Sequence, residues 1–354
     1  MDGQSQAPTQ VKAHWTKYTL NFKQPAGTSR GTLRTKDTWF LHLNGNEQHV
    51  VGECGMFRGL SYDDRPGYED KLQEVCDQIN AGAHTSQIDL TEWPSIQMGL
   101  DCALKLLHHK TPHKLYENAF ARGKADIPIN GLIWMGDKQF MMDQIHAKLE
   151  EGYRCLKMKI GAIDFKAELD LLDFIRSRFR ESELTLRVDA NGAFSPSEAL
   201  EKLNRLAQFD LHSIEQPIKA GQVQEMARLC EDTPIPIALD EELIGVIDRQ
   251  KQRALLDSIN PHYIILKPTL VGGLSGSSRW IKEADKRGIA WWITSALESN
   301  VGLNAIAQYT YQQDVSMPQG LGTGSLFTNQ IEAPLTAHAG YLKYEPSGTW
   351  QQIP

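Results

Sequence analysis

From about residue 127 onward, short apolar runs alternate with longer amphipathic stretches, a rhythm absent from the first third of the chain. The runs at 127–134, 155–160, 184–189, 212–215, 235–240, 263–267 and 290–295 have the length of buried strands, and a shorter one is expected near 320–324. Between them, 137–151, 165–179, 199–208 and 278–287 carry apolar residues at helical spacing. Strands alternating with helices imply parallel pairing, and about eight such units close into a (β/α)8-type barrel. The rival, an open doubly wound sheet, would want a G-x-G-x-x-G phosphate loop after its first strand, and none follows Trp134.

The first 120 residues read differently. Strand-like patterns at 11–22, 38–43 and 49–53, with a hairpin turn expected at Asn44-Gly45, precede helical stretches at 68–81 and about 95–109. This is a small α+β unit. Its segments 24–31 and 54–60, rich in glycine, are candidate lids, or else ordinary surface loops. The tail from 327 is irregular and is expected to pack back on this unit. The organisation predicted is a capping domain over 1–120, completed by 325–354, and a catalytic barrel over 121–324.

Composition narrows the partners. A hydrophobic fraction of 41% and a charged fraction of 23% suit a soluble enzyme. A net charge of −7 argues against nucleic acid and anionic membranes, which demand a basic face. No secretory signal or bilayer-length apolar run is visible, and five scattered cysteines without a CxxC read as reduced thiols, so a cytoplasmic location is expected. No stretch stands out as an interface, and oligomeric state stays open.

Three of the predicted strands end in a carboxylate: Asp189, Glu215 and Asp240, separated by 26 and 25 residues. A barrel gathers its reactive groups at these strand tips. Three converging acids repel one another unless a cation holds them. With no cysteine or histidine beside them, the expected ion is a hard, oxygen-preferring one, most simply Mg2+. The alternative is that each acid caps the helix that follows. In the strand at 155–160, period two puts Lys157 and Lys159 on one face, which in a barrel points inward at the mouth. Lys267 ends its own strand the same way. A neighbouring cation disfavours an ammonium, so Lys157 would help Lys159 serve as a base, with Lys267 facing it across the substrate. The alternative is three lysines salt-bridged to the acids.

Lys157-x-Lys159, Asp189-Ala190-Asn191-Gly192, Ser213-Ile214-Glu215-Gln216-Pro217, Leu239-Asp240-Glu241 and Leu266-Lys267-Pro268 together resemble the enolase superfamily, in its muconate-lactonising-enzyme subgroup. Thr294 to Leu303 and Gly322 to Phe327 further resemble the o-succinylbenzoate synthase family. The resemblance spans nearly the whole chain. It implies an Mg2+-dependent lyase (Mn2+ substituting) of menaquinone biosynthesis, acting on a small carboxylate. That lyase dehydrates 2-succinyl-6-hydroxy-2,4-cyclohexadiene-1-carboxylate in a syn sense, through an enediolate, to 2-succinylbenzoate. Lys159 would move the proton, Lys267 would stay charged opposite, and Arg187, Asn191 and Glu241 would orient the metal ligands. Ser295 and Glu298 would seat the succinyl arm. Phe194 and the pair Met56-Phe57 depart from residues common among relatives, Trp and Pro-Leu, and the second departure touches substrate selection. The rivals are an N-succinylamino-acid racemase or a dipeptide epimerase using the same lysines, and, more remotely, a non-catalytic binding protein. Gly322-Thr323-Gly324 lacks the Asp-x-Asp that dipeptide epimerases usually carry there.

Overall fold

The computed structural model describes residues 11–28, 31–45, 47–109 and 111–354. The chain opens with β1 (Lys12–Thr28), β2 (Gly31–Gly45) and β3 (Gln48–Cys54), an antiparallel sheet in that order. Gly45 pairs with Gln48, so β2 runs on through Asn44 and Gly45 and the chain reverses later than expected, with Glu47 at φ 59°. Asn44 and Gly45 are spent on pairing instead. The candidate lid at 24–31 is largely strand: pairing shifts register after Asn21 and resumes at Ala26 with Leu33, while Ser29 and Arg30 lie outside the described residues.

Two helices, α1 (Tyr68–Asn80) and α2 (Pro94–Leu107), cover one face of this sheet, burying Leu72, Val75, Ile96 and Leu100 against Trp39, Leu41 and Leu43. The α2–β3 crossing is tight. A β-carbon on Gly52 would stand 1.9 Å from the Gly99 carbonyl oxygen, so the contact requires glycine.

The barrel then unfolds in order: β4 (Ile127–Pro128), β5 (Gly131–Ile133), α3 (Lys138–Glu150), β6 (Cys155–Lys159), α4 (Phe165–Arg176), β7 (Thr185–Asp189), α5 (Pro196–Leu206) and β8 (Ser213–Glu215). After these come α6 (Val223–Asp232), β9 (Ile237–Leu239), α7 (Arg249–Ile259), β10 (Tyr263–Leu266), α8 (Gly273–Asp285), β11 (Ala290–Ile293) and α9 (Asn300–Gln312). The sheet runs β11-β10-β9-β8-β7-β6-β5, parallel throughout. The strand expected near 320–324 is reduced to single-residue bridges at Gln319 with Ile129 and Gly320 with Thr294. These suffice to close the ring, because Asn130 N–H donates to Gln319 O (3.0 Å) and Gly320 N–H to Ile293 O (2.8 Å). A longer strand is not made because Pro318 and three glycines crowd this stretch.

In the tail, β12 (Leu335–His338) pairs with β13 (Tyr341–Tyr344), which pairs with β4. Beyond it, Trp350 and Ile353 pack on Phe40, Val51 and Val301, so the tail touches both the barrel's start and the capping sheet. Among the described residues no helix is long and apolar enough to cross a membrane.

Candidate active site

The strands place the acids and lysines in a symmetrical order. Sheet neighbours β7, β8 and β9 end at Asp189, at Glu215 and just before Asp240, while β6 on one flank carries Lys157 and Lys159 and β10 on the other leads into Lys267. Register aligns Lys159 with Asp189 and Asp189 with Glu215 across the sheet.

None of the three acids caps a following helix through its side chain, Asp240 included, although it stands at the start of the short 3-10 turn Glu241–Leu243. Ser195, Gln222 and Asp248 occupy the cap positions of α5, α6 and α7, and only Asp248 among them caps through its side chain. The trio meets lysines instead. Lys159 Nζ donates to Asp189 Oδ2 and Asn191 Oδ1, both at 2.6 Å. Lys157 Nζ lies 2.9 Å from Asp189 Oδ2 and also pairs with Glu215, and Lys267 pairs with Asp240. Asn191 Nδ2 donates onward to Glu241 Oε1 (2.9 Å).

Burial and charge pull these groups apart. Burial alone would lower the Lys157 and Lys267 ammoniums, but the charges of Asp189 and Glu215, and of Asp240 and Glu241, outweigh it and hold both above the usual range. Asp189 is likewise buried, yet Lys157 and Lys159 drive its carboxyl far down. Glu215 goes the other way, pushed well up by burial and then by the Asp189 charge.

Among the described residues no three acid, histidine or cysteine side chains form a ready metal-binding group as they stand, since the ammonium groups lie between the carboxylates. The donor set nevertheless fits a hard cation. Glu215 Oε1 is buried without a hydrogen-bond partner, the kind of oxygen a divalent ion would complete.

Lys157, Lys159, Asn191, Glu241, Lys267 and Ser295 all line one cavity of roughly 690 Å³, counted with its mouth. The rest of its wall is largely apolar, Thr323 excepted: Phe57 and Leu60 from the segment after β3, Leu132 of β5 with Trp134 just after it, and Ala296 and Leu297 after β11. The candidate lid at 54–60 thus supplies two residues to the cavity wall. It is held in shape by Phe57 N–H on Ser61 Oγ (2.8 Å) and Gly59 N–H on Asp64 (2.6 Å). Three non-glycine residues with left-handed backbone, Asn191 (φ 44°), Gln216 (φ 40°) and Leu297 (φ 60°), cluster at these tips, where strain is commonly stored.

Two expected site residues lie elsewhere. Arg187 sits deeper in the barrel, donating to Pro318 O (2.8 Å) with its guanidinium 4.1 Å over the Trp292 ring, and touches no site carboxylate by hydrogen bond. The pleat explains it: two residues before Asp189 on the same face is one layer lower. Glu298 is buried behind the wall, accepting from Thr269 Oγ1 and Ala296 N–H, and does not line the cavity. Ser295 does, with its hydroxyl 2.6 Å from that of Thr323.

Residues given no role from the sequence hold the site together. Gln216 accepts from Asp240 N–H (3.2 Å) and donates to Glu242, stitching the β8 tip to the β9 tip. Glu53 reaches from β3 to the start of α9, accepting from Ser299 N–H and Gly302 N–H, both at 2.8 Å, and so docks the cap on the barrel. Gln216 stands inside a recognised motif, a usable signal; Glu53 carried none beyond its place in a strand.

The chain matches the model of the enolase C-terminal domain-like family over residues 141–345. It is 46% identical to the o-succinylbenzoate synthase of Desulfotalea psychrophila, over 91% of this chain and 96% of that one. The crystal structure of MenC from the same organism superposes with a TM-score of 0.83 at 40% identity, covering 95% of this chain and all of that one. At 18% identity, a dipeptide epimerase from Enterococcus faecalis, solved with Mg and the dipeptide L-Leu-L-Tyr, shares the fold with a TM-score of 0.78 over 96% and 98% of the two chains. With a barrel of this order and relatives of this identity, the chain belongs to the enolase superfamily and, within it, to the o-succinylbenzoate synthase family.

Proposed function

We propose that this protein is an o-succinylbenzoate synthase. As a hydro-lyase it converts 2-succinyl-6-hydroxy-2,4-cyclohexadiene-1-carboxylate to 2-succinylbenzoate and water, a step of menaquinone biosynthesis. The observation that carries the chemistry is the strand order, with three acid-tipped strands flanked on either side by an amine at a shared cavity. The 46% identity to a named synthase selects the reaction.

Asp189, Glu215 and Asp240 would hold Mg2+, or Mn2+ in its place, which supplies positive charge to a substrate carboxylate and so eases loss of the weakly acidic proton beside it. Lys159, as the free amine, takes that proton from the ring carbon. It then returns it to the departing hydroxyl, so that a C–H and a C–O bond break, a ring double bond forms and water leaves. One side chain serves both steps because both occur on one face. Asp189 and Asn191 hold its nitrogen in place. Lys267, kept an ammonium by Asp240, balances negative charge from the other flank. Phe57, Leu60 and Trp134 exclude water.

A coupled assay on the cyclohexadiene substrate, with and without chelator, tests the proposal; no dehydration with Mg2+ present rejects it. The paired amines also suit a 1,1-proton transfer as in an N-succinylamino-acid racemase. Exchange of the α-proton of N-succinylphenylglycine in deuterated water would reveal that activity, and its absence excludes it.

A further inference from the structure

Beyond the catalytic cavity lies a second cleft, of roughly 640 Å³ with its mouth, on the outer side of the barrel seam. The two share three wall residues: Leu132, Trp134 and Thr323. Leu132 belongs to β5 and Thr323 to the closing segment, which the ring binds at only two bridged positions. A seam stitched so sparsely leaves room between its edges, and Trp134 lines the space on both sides of it.

Trp134 is held there from two directions. Gln144 of α3 grips its backbone, accepting from its N–H (2.9 Å) and donating to its carbonyl (3.2 Å). Its indole packs with Leu326 against the cluster containing Phe57, Leu297 and Phe327, which joins cap to barrel. Behind it the outer cleft sets a few polar side chains into a mostly apolar wall. Lys148 lines it, paired with Glu151 at 2.7 Å and lying 4.8 Å over the Tyr153 ring. Asn130, 5% exposed, lines it too and leaves its Oδ1 without a partner.

The cavity is itself divided. Lys157, Lys159, Asn191, Glu241 and Lys267 line it from β6 to the end of β10, with the acid trio just beneath them, whereas Ser295, Thr323 and Trp134 lie across the ring, on either side of the seam. A substrate with one carboxylate docked at the acid trio must send its second, on the acyl arm, away from that negative charge and so toward the seam. That direction leads to Ser295, Thr323 and Trp134.

We propose that Trp134 is a specificity-determining partition: it sets the longest acyl arm the enzyme accepts by closing the catalytic cavity off from the outer cleft. Shortening Trp134 joins the two spaces and admits a substrate whose dicarboxylic arm is longer by one or two methylenes, its terminal carboxylate passing into the cleft toward Lys148. This inference rests on the synthase reading above.

The test compares kcat/KM for the succinyl substrate and for its glutaryl and adipoyl homologues in the wild type, Trp134→Phe and Trp134→Ala. A methylene misfit in a pocket is worth about tenfold or more. The ratio of long-arm to short-arm kcat/KM is expected to rise by about that factor in Trp134→Ala, with Trp134→Phe between it and the wild type. Calorimetric binding of 2-succinylbenzoate and its adipoyl homologue reads the same ratio if a variant binds without turnover, and retained thermal midpoints show that the variants fold. An unchanged ratio in folded Trp134→Ala, or a wild type that accepts the adipoyl arm as well as the succinyl one, overturns the inference. A wild type inactive on the succinyl substrate would instead reject the synthase reading itself.

Discussion

Among the described residues, two buried clusters of lysine and carboxylate are built from the same residue types and opposite in design. At the cap–barrel interface, Glu53 accepts four hydrogen bonds, from Thr38 Oγ1, Ser299 N–H, Ser299 Oγ and Gly302 N–H. Glu298 there fills both oxygens with Thr269 and Ala296, and Lys36 donates to Gly55 O at 3.3 Å. At the barrel mouth the carboxylates are met by lysine ammoniums, one Glu215 oxygen has no partner, and a cavity opens beside them. Acids saturated by backbone and hydroxyl donors have nothing left for a ligand, and they act as joints. Buried charge by itself does not mark a site; unspent oxygens beside a cavity do.

Removing the base strikes the mouth hardest. Lys159→Ala is expected to lower kcat by at least about a thousandfold, with far-UV circular dichroism and thermal midpoint preserved. Dehydration at close to the wild-type rate would take Lys159 out of the chemistry.

Next comes the metal. Activity is expected to vanish with chelator and return with Mg2+ or Mn2+. Glu215→Gln should weaken Mg2+ binding, read by calorimetry, by more than about tenfold. An affinity equal to the wild type's would place the cation elsewhere.

The interface cluster should respond in stability instead. Glu53→Ala strands buried donors on two hydroxyls and two backbone N–H groups and is expected to cost about 3 kcal/mol in denaturant unfolding. Because Glu53 touches no cavity atom, kcat/KM of the folded enzyme should change little; a large catalytic loss with unaltered stability would erase the contrast.

Smallest is Lys36→Met, expected to shift stability by about 1 kcal/mol. Its sign depends on pH. Burial lowers the Lys36 ammonium below its ordinary 10.5, more than Glu53 and Glu298 raise it. Above its folded-state value and below 10.5, the unfolded chain binds the extra proton. The stability difference, wild type minus variant, should therefore rise with pH across that window. A flat difference would mean Lys36 pairs more strongly than its single carbonyl bond suggests.

The alternation of strands and helices after residue 127 was legible because parallel strands covered by helices must read as continuous apolar runs. The acid trio and flanking lysines were legible for the same reason: a strand of period two fixes which residues reach the tip. Lys157-x-Lys159 could point only one way once its neighbours Leu156 and Met158 were buried. Arg187 shares that face but lies a layer lower, and depth is set by barrel stagger that no local pattern records.

By itself, then, the sequence determined the repeating unit, the set of charged tips and the side of each strand they occupy, all consequences of local periodicity. Only the tertiary structure decided which buried acids became joints and which stayed open, that Asn44 and Gly45 would pair within β2, and that two bridges at Gln319 and Gly320 would close the ring beside Trp134. Those outcomes depend on which donors arrive from residues some 250 positions away, as Gly302 does at Glu53, and such arrivals follow from packing, not from spacing along the chain.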